Sequence, residues 1–339
     1  MLRRKSCQAD TENMNISSIY DKDCDREIIK EHESANRLQV FEDRPFHDDN
    51  WEVTDFYQDK MEEINSFVSV NTIKGLGYGG FRVTREYNKS KIVQDIVVYS
   101  EDRRIDFKTF ADWHENHVLL KASLPTDIHS TKATYEIQFG NVERNTHKNT
   151  SWDAAKFEVC AQKWADISEE GYGVSILNNC KYGYSAEGSE IKLTLIKCGT
   201  FPNTEADQGE HSFTYTLLPH KDGYRQGKTI EEAYLLNRPL ETAYARGKGT
   251  LAESFSFAAC DSPNIVIETV KRAEDGRGFI IRLYDAWDKK SKPVIKFGLP
   301  IKKISLCDMM ENDLAELGEG DELCLKVNNF EIVTLRIEL

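Results

Sequence analysis

An all-β chain is predicted by this sequence: a large antiparallel β-sandwich (a super-sandwich) followed by a smaller β-sandwich, with one short helix. Three observations carry the prediction. Apolar residues alternate with polar ones in segment after segment, turn signals separate those segments, and only one stretch carries helix boundary signals. Period two puts one face of a strand in a core and the other in water. Its recurrence without helical spacing in between fits stacked antiparallel sheets rather than a βαβ order.

Taken in chain order, residues 1–14 are polar, expected to be irregular, and suggest a truncated start. Ile16-Ser17-Ser18-Ile19-Tyr20 already reads as the middle of a sheet. From about residue 90 strict alternation dominates. Tyr135, Ile137 and Phe139 face one way with Glu136 and Gln138 between them. Phe157, Val159 and Ala161 stand against Glu158 and Gln162; Ile191, Leu193 and Leu195 against Lys192 and Thr194. Phe213, Tyr215 and Leu217 stand against Ser212, Thr214 and Thr216. Gly140-Asn141, Glu187-Gly188-Ser189 and Asp275-Gly276-Arg277-Gly278 supply turns.

Thr229 with Glu232 forms a capping box that opens the helix, and Pro239 closes it after Leu235 and Leu236. Arg246-Gly247-Lys248-Gly249-Thr250 is the best boundary, dividing a β-region of residues 1–245 from a smaller sandwich of residues 246–339. In the closing strand Val333, Leu335, Ile337 and Leu339 are expected inside, with Thr334, Arg336 and Glu338 outside.

At 339 residues, 40% hydrophobic and 30% charged, the chain has the makeup of a globular protein that buries a real core. A formal net charge of -13 argues against a nucleic-acid partner, whose phosphates would be repelled. No apolar run approaches the roughly 20 residues that span a bilayer, so no membrane partner is expected. Met1-Leu2-Arg3-Arg4-Lys5 is followed by Ser6-Cys7-Gln8-Ala9-Asp10, which lacks the apolar stretch of a signal peptide. The 8 cysteines are scattered, with no C-x-x-C pair. They read as free thiols of a reducing compartment, the cytoplasm.

The chemistry-bearing signals are sparse. With 57 Asp and Glu, carboxylate pairs occur everywhere and point nowhere without geometry. His114 and His117 have ligand-like spacing, but the flanking alternation makes them hairpin histidines rather than a zinc site. There is no G-x-S-x-G elbow and no Walker A. Gly75-Leu76-Gly77-Tyr78-Gly79-Gly80 reads as a flexible loop, and Cys180 as an inert thiol. Two denser stretches mix rings with short polar side chains: Thr146 to Asp153 leading into Lys163-Trp164-Ala165-Asp166, and Glu170 to Val174 leading to Asn178 through Tyr184. Such mixtures suit sugars, whose C–H faces stack on rings while amides and carboxylates take the hydroxyls. Core aromatics with satisfied polar tips are the equally weighted alternative for Trp152, Trp164 and Tyr172.

These stretches resemble the carboxyl-terminal region of the α-mannosidases of glycoside hydrolase family 38, of the cytosolic and vacuolar type and its bacterial relatives. The resemblance rests on Ile19-Tyr20-Asp21-Lys22 with Asp25-Arg26-Glu27, Asn36-Arg37-Leu38-Gln39 with Phe41-Glu42-Asp43, and Arg104-Ile105-Asp106-Phe107 with Asp112-Trp113-His114. It continues through Tyr135 to Gly140, Thr146-His147, Asn149 to Asp153, Trp164-Ala165-Asp166, Gly171 to Val174, Lys181-Tyr182-Gly183-Tyr184, Ala206 to Gly209 with His211, Pro219-His220 and Phe330 to Leu335. It implies that retaining cleavage of terminal α-mannosides belongs to an amino-terminal catalytic domain holding the nucleophile and zinc, with no catalytic residue, metal ligand or cofactor in this chain. The implied role here is accessory: completing the core of the enzyme, shaping the rim of its sugar pocket, and supporting oligomers. The implied partners are that catalytic domain, a mannose-containing glycan and a second copy of the chain. Lys181 and Tyr182 are the first rim candidates, with His147, Trp152 and Asp166 next. An independent carbohydrate-binding module and an oligomerisation module are the alternatives.

Overall fold

The computed structural model describes residues 4–244, 249 and 253–339. Apart from Gly249, the stretch from Arg246 to Thr250 lies outside the described residues. The chain is all-β, built of antiparallel sheets with, among the described residues, two short α-helices, α1 (Ser151–Ala154) and α2 (Thr229–Asn237). It forms two compact units: Met1–Glu136 with Val142–Leu240, and Ile137–Asn141 with Glu241–Leu339.

The first unit carries a sandwich of a nine-stranded and a six-stranded sheet, and a three-stranded sheet of Lys5–Ala9, Ile16–Asp21 and Arg26–Glu27. The larger runs Gly140–Asn145, Lys132–Ile137, Trp164–Glu169, Tyr172–Asn178, Gly209–Lys221, Ile105–Trp113, Ser90–Tyr99, Tyr78–Tyr87, Ser69–Gly75. The smaller runs Val159–Cys160, Gly183–Glu187, Glu190–Cys198, Val118–Pro125, Arg37–Glu42, Met61–Glu63. Leu38, Val40, Leu120, Leu124, Ile191 and Leu193 of the smaller sheet share one core with Ile92, Ile96, Phe107, Trp113, Ile176 and Tyr215 of the larger. Each such side chain contributes about 1.5–3 kcal/mol on leaving water. Rings bind the two layers: Tyr135 meets Tyr184 edge-on with centroids 6.1 Å apart. The Trp113 indole donates to Cys198 Sγ at 2.9 Å.

Several segments depart from the sequence reading, each for a physical reason. Lys5–Ala9, expected to be irregular, is a strand paired with Ile16–Asp21, and its Lys5 ammonium is buried against the carbonyls of Asp102 and Arg104. The glycine-rich segment is a hairpin in place of a loop: only Leu76-Gly77 turn, and Gly79 and Gly80 pair with Val98 and Val97. A Cβ on Gly80 would sit 1.8 Å from the Ile96 carbonyl oxygen, so glycine there permits close strand approach. Phe139 leaves the strand with φ +55, packing edge-on to Tyr284 within the second unit. Of the Phe157–Ala161 alternation only Val159–Cys160 is strand. Thr216, expected to face water, is buried and donates to Asp106 at 2.8 Å.

Helix α2 stands where the capping signal placed it, but Thr229 does not cap it. Lys228 is the N-cap, in a left-handed conformation without a side-chain bond, and Thr229 is the first helical residue. Its hydroxyl is 2.6 Å from Ser175 Oγ, anchoring the helix to the sheet.

The second unit carries the sheet Ala258–Cys260, Val294–Cys307, Ile332–Glu338, Phe279–Asp285, Ile265–Arg272, with Asp313–Cys324 paired to Val294–Cys307. Its core gathers Ile281, Leu283, Ile295, Ile304, Val333, Leu335 and Ile337. The closing strand is buried on both faces. Arg336, expected outside, is 1% exposed, and its guanidinium binds Asp313 and Asp275 at 2.8 Å and the Glu311 carbonyl at 2.6 Å. Leu339, expected inside, is exposed. No helix among the described residues is long and apolar enough to cross a membrane.

Candidate functional site

The residues between Asn145 and Glu158 form a structured cover over the outer face of the six-stranded sheet. Thr150 caps α1, accepting from the Asp153 backbone N–H at 3.1 Å, while its hydroxyl donates to the Asp153 carboxylate at 2.8 Å. The Asn145 amide donates to the same carboxylate at 2.8 Å. These hydrogen bonds hold the Asp153 carboxyl below its ordinary range, the Thr150 hydroxyl contributing most. The capped turn projects Trp152, which is 81% exposed. His147 Nδ1 lies 3.8 Å from Asp153 Oδ2. The Thr150–Asp153 spacing is the sequence signal for this helix, and the strand pattern on either side hid it.

Between this cover and the sheet lies a cleft of about 230 Å³, lined among others by Phe41, Tyr57, Asn145, His147, Lys156, Ser185 and Lys192. Directly beneath it sits Lys121, with no exposed surface. Its ammonium is ion-paired with Glu158 and donates to Tyr57 OH at 3.2 Å and Ser185 Oγ at 2.9 Å. Burial pulls the Lys121 pKa down while Glu158 opposes it, and burial pushes the Tyr57 phenol up. Alternation identified neither Lys121 nor Glu158, because a buried cation is legible only when its partner, brought in from another segment, is known.

The other candidates lie elsewhere. Lys181 and Tyr182 occupy the turn between strands Tyr172–Asn178 and Gly183–Glu187, fixed by Asn178 Oδ1, which accepts from the N–H groups of Cys180 at 3.0 Å and Lys181 at 2.6 Å. Tyr182 is 55% exposed. Lys181 folds back over the Phe213 ring, 4.3 Å from its centroid, where burial lowers its pKa. Asp166 is no surface residue: it is 2% exposed, 2.7 Å from His220 Nε2, and accepts from Ser168 at 2.6 Å and Ser175 at 2.8 Å. Trp164 and Tyr172 are core rings, Trp164 stacked on Tyr224 and the Tyr172 hydroxyl donating to Asp21 at 2.8 Å. Of the three aromatics with equally weighted alternatives, only Trp152 is exposed.

His114 and His117 lie in the loop between two strands and address separate carboxylates, Asp112 at 2.7 Å and Asp49 at 3.1 Å. Among the described residues no three His, Cys, Asp or Glu side chains converge as a metal site requires. The described residues therefore do not supply the donor set of the zinc that the family resemblance implies for an amino-terminal catalytic domain. All eight cysteines are free thiols.

The sequence of residues 6–205 matches the model of the glycosyl hydrolases family 38 C-terminal domain, and residues 264–335 match that of the family's C-terminal beta sandwich domain. The chain belongs to glycosyl hydrolase family 38. Within that family it is similar to Alpha-mannosidase 2C1 of Homo sapiens, 38% identical over 84% of this chain and 28% of the relative. Alpha-mannosidase G of Dictyostelium discoideum is 35% identical over 96% of this chain and 31% of its own length. The chain thus spans less than a third of each of these relatives. In fold it resembles an alpha-mannosidase from Enterococcus faecalis, with a TM-score of 0.79 at 17% identity over 99% of this chain and 41% of that one. A second Enterococcus faecalis family 38 structure gives 0.76 at 17% identity, over 98% of this chain and 43% of that one. At that identity the likeness speaks for the family 38 fold alone.

Proposed function

We propose that this chain is the carboxyl-terminal, non-catalytic β-region of an α-mannosidase whose amino-terminal domain carries out retaining hydrolysis of terminal α-mannosides. Its work is to complete the enzyme's core and to shape the rim of the sugar pocket. The observation that carries this reading is Trp152, a large ring presented to solvent from a capped turn within the family 38 match. A ring held outward by the cap hydrogen bonds of its turn, and 81% exposed, suits stacking on a sugar or on the adjoining domain. Tyr182 joins it as a rim candidate. Lys181 follows, its ammonium turned onto Phe213, and His147 adjoins the Trp152 turn. Asp166, buried against His220, is read as part of the scaffold. The eight free thiols support a cytoplasmic setting.

The test uses the full-length polypeptide of this locus. Trp152→Ala, Tyr182→Phe and Lys181→Ala should each lower kcat/KM for an aryl α-mannoside several-fold, with an unchanged melting temperature for the first two. Unchanged turnover in all three contradicts the rim assignment. The exposed ring also favours a second reading, an independent carbohydrate-binding module, which predicts mannoside affinity in the chain alone.

A further inference from the structure

We propose that the cleft bounded by Phe41, Tyr57, Asn145, Lys156, Ser185 and Lys192 is a binding subsite for one neutral pyranose ring, formed wholly by this chain. The choice of sugar as ligand rests on the α-mannosidase reading above; the geometry of the site does not.

The cleft is organised before any ligand arrives. The Lys121 ammonium spends its three donors on Glu158, Tyr57 and Ser185, so two hydroxyl groups on the cleft wall are held from below by one buried cation. The Thr194 hydroxyl donates to the other Glu158 oxygen at 2.5 Å, which fixes the carboxylate in turn. Preformed polar groups of this kind cost little to order on binding.

Its lining matches a sugar on both faces. Half-buried Phe157 offers an apolar edge for C–H groups, backed by the buried rings of Phe41 and Tyr57. Asn145, Ser185 and the carboxylates of Glu187 and Glu190 offer acceptors and donors for hydroxyls, which are themselves both. Lys156 reaches the cleft with an ammonium that makes no hydrogen bond or ion pair among the described residues, a donor left for a ligand.

Charge argues for a neutral ligand. Lys148 pairs with Glu187 at 2.9 Å and Lys192 with Glu190 at 3.3 Å, so most of the cations are already balanced and no basic cluster awaits a phosphate. Size argues for a single ring. The cleft's 230 Å³ falls below the roughly 300–1,000 Å³ of clefts that take drug-sized ligands.

The test is a titration of the 339-residue chain with methyl α-D-mannopyranoside, read by Trp152 emission, assigned by its loss in Trp152→Phe, and by amide shifts in the 145–158 segment. Saturable binding in the millimolar range is expected. It should be weakened roughly five- to tenfold in Lys156→Met and Lys192→Met, and unchanged in Lys89→Met, a surface control outside the cleft. Melting curves of the two cleft variants should match the parent. Absence of saturable binding overturns the proposal, as does binding that both cleft variants retain in full. The accessory role is read by turnover in the longer polypeptide and this subsite by binding to the chain alone, so either can fail while the other stands.

Discussion

Lys121 and Glu158 form an ion pair between a fully buried ammonium and a carboxylate that is 14% exposed, packed beneath a surface cleft. The pair joins strand Val118–Pro125 to the segment that follows α1, and the same ammonium fixes Tyr57 and Ser185. Two charges beneath the 145–158 cover are costly to desolvate, and the three partners of the ammonium offset that cost.

Removing one member should therefore be far worse than removing both. Lys121→Met leaves the Glu158 carboxylate without its cation and should cost about 3–5 kcal/mol in urea unfolding. The double variant Lys121→Met, Glu158→Gln should recover most of that loss. A double variant no more stable than the single would show that the pair does not carry the cover.

Asp166 and Trp152 should separate cleanly. Asp166 anchors Ser168, Ser175 and His220, and Ser175 reaches Thr229 at the start of α2. Asp166→Asn should lower the melting temperature and expose α2 to protease. Trp152→Ala touches a ring already in water and should shift stability by no more than about 0.5 kcal/mol. Equal losses in the two variants would contradict the assignment of Asp166 to the scaffold and Trp152 to the surface.

How much of this was legible beforehand depends on where the partner of each residue lies in the sequence. Ile191, Leu193, Phe213 and Tyr215 follow a rule contained in their own segment, and period two found them. Asp166 does not, because what buries it is His220, 54 residues away. Arg336 looks like an outward residue by alternation, yet the counter-ions that let it be buried come from 23 and 61 residues away, Asp313 and Asp275. The strand at Lys5–Ala9 was hidden by polar side chains, and its pairing with Ile16–Asp21 supplies what its apolar content does not. The rim candidates were legible as residue types. Their orientation was not: Lys181 turns onto Phe213, and Trp152 turns out because Thr150 caps a helix of one turn.

The Arg336 cluster predicts an acid response of the second unit. Asp275 accepts from the Arg277 backbone N–H and from the Arg277 and Arg336 guanidinium groups, which holds its pKa down at about 2. A carboxyl depressed in the folded state adds stability that is whole above its unfolded-state value, near 4, and is lost as the pH falls through about 2. Wild type should therefore exceed Asp275→Asn by a constant margin at neutral pH, and the margin should close between about pH 4 and pH 2. Melting curves across that range check it; a margin independent of pH would contradict it.

The central claim is that this chain is the scaffold of a glycosidase and not its chemical centre. The most direct measurement is hydrolysis of an aryl α-mannoside by the purified 339-residue chain, with and without added zinc, beside any longer product of the same locus. The account predicts no turnover by the chain in either condition and turnover by the longer polypeptide. Sustained hydrolysis by the chain alone would contradict it.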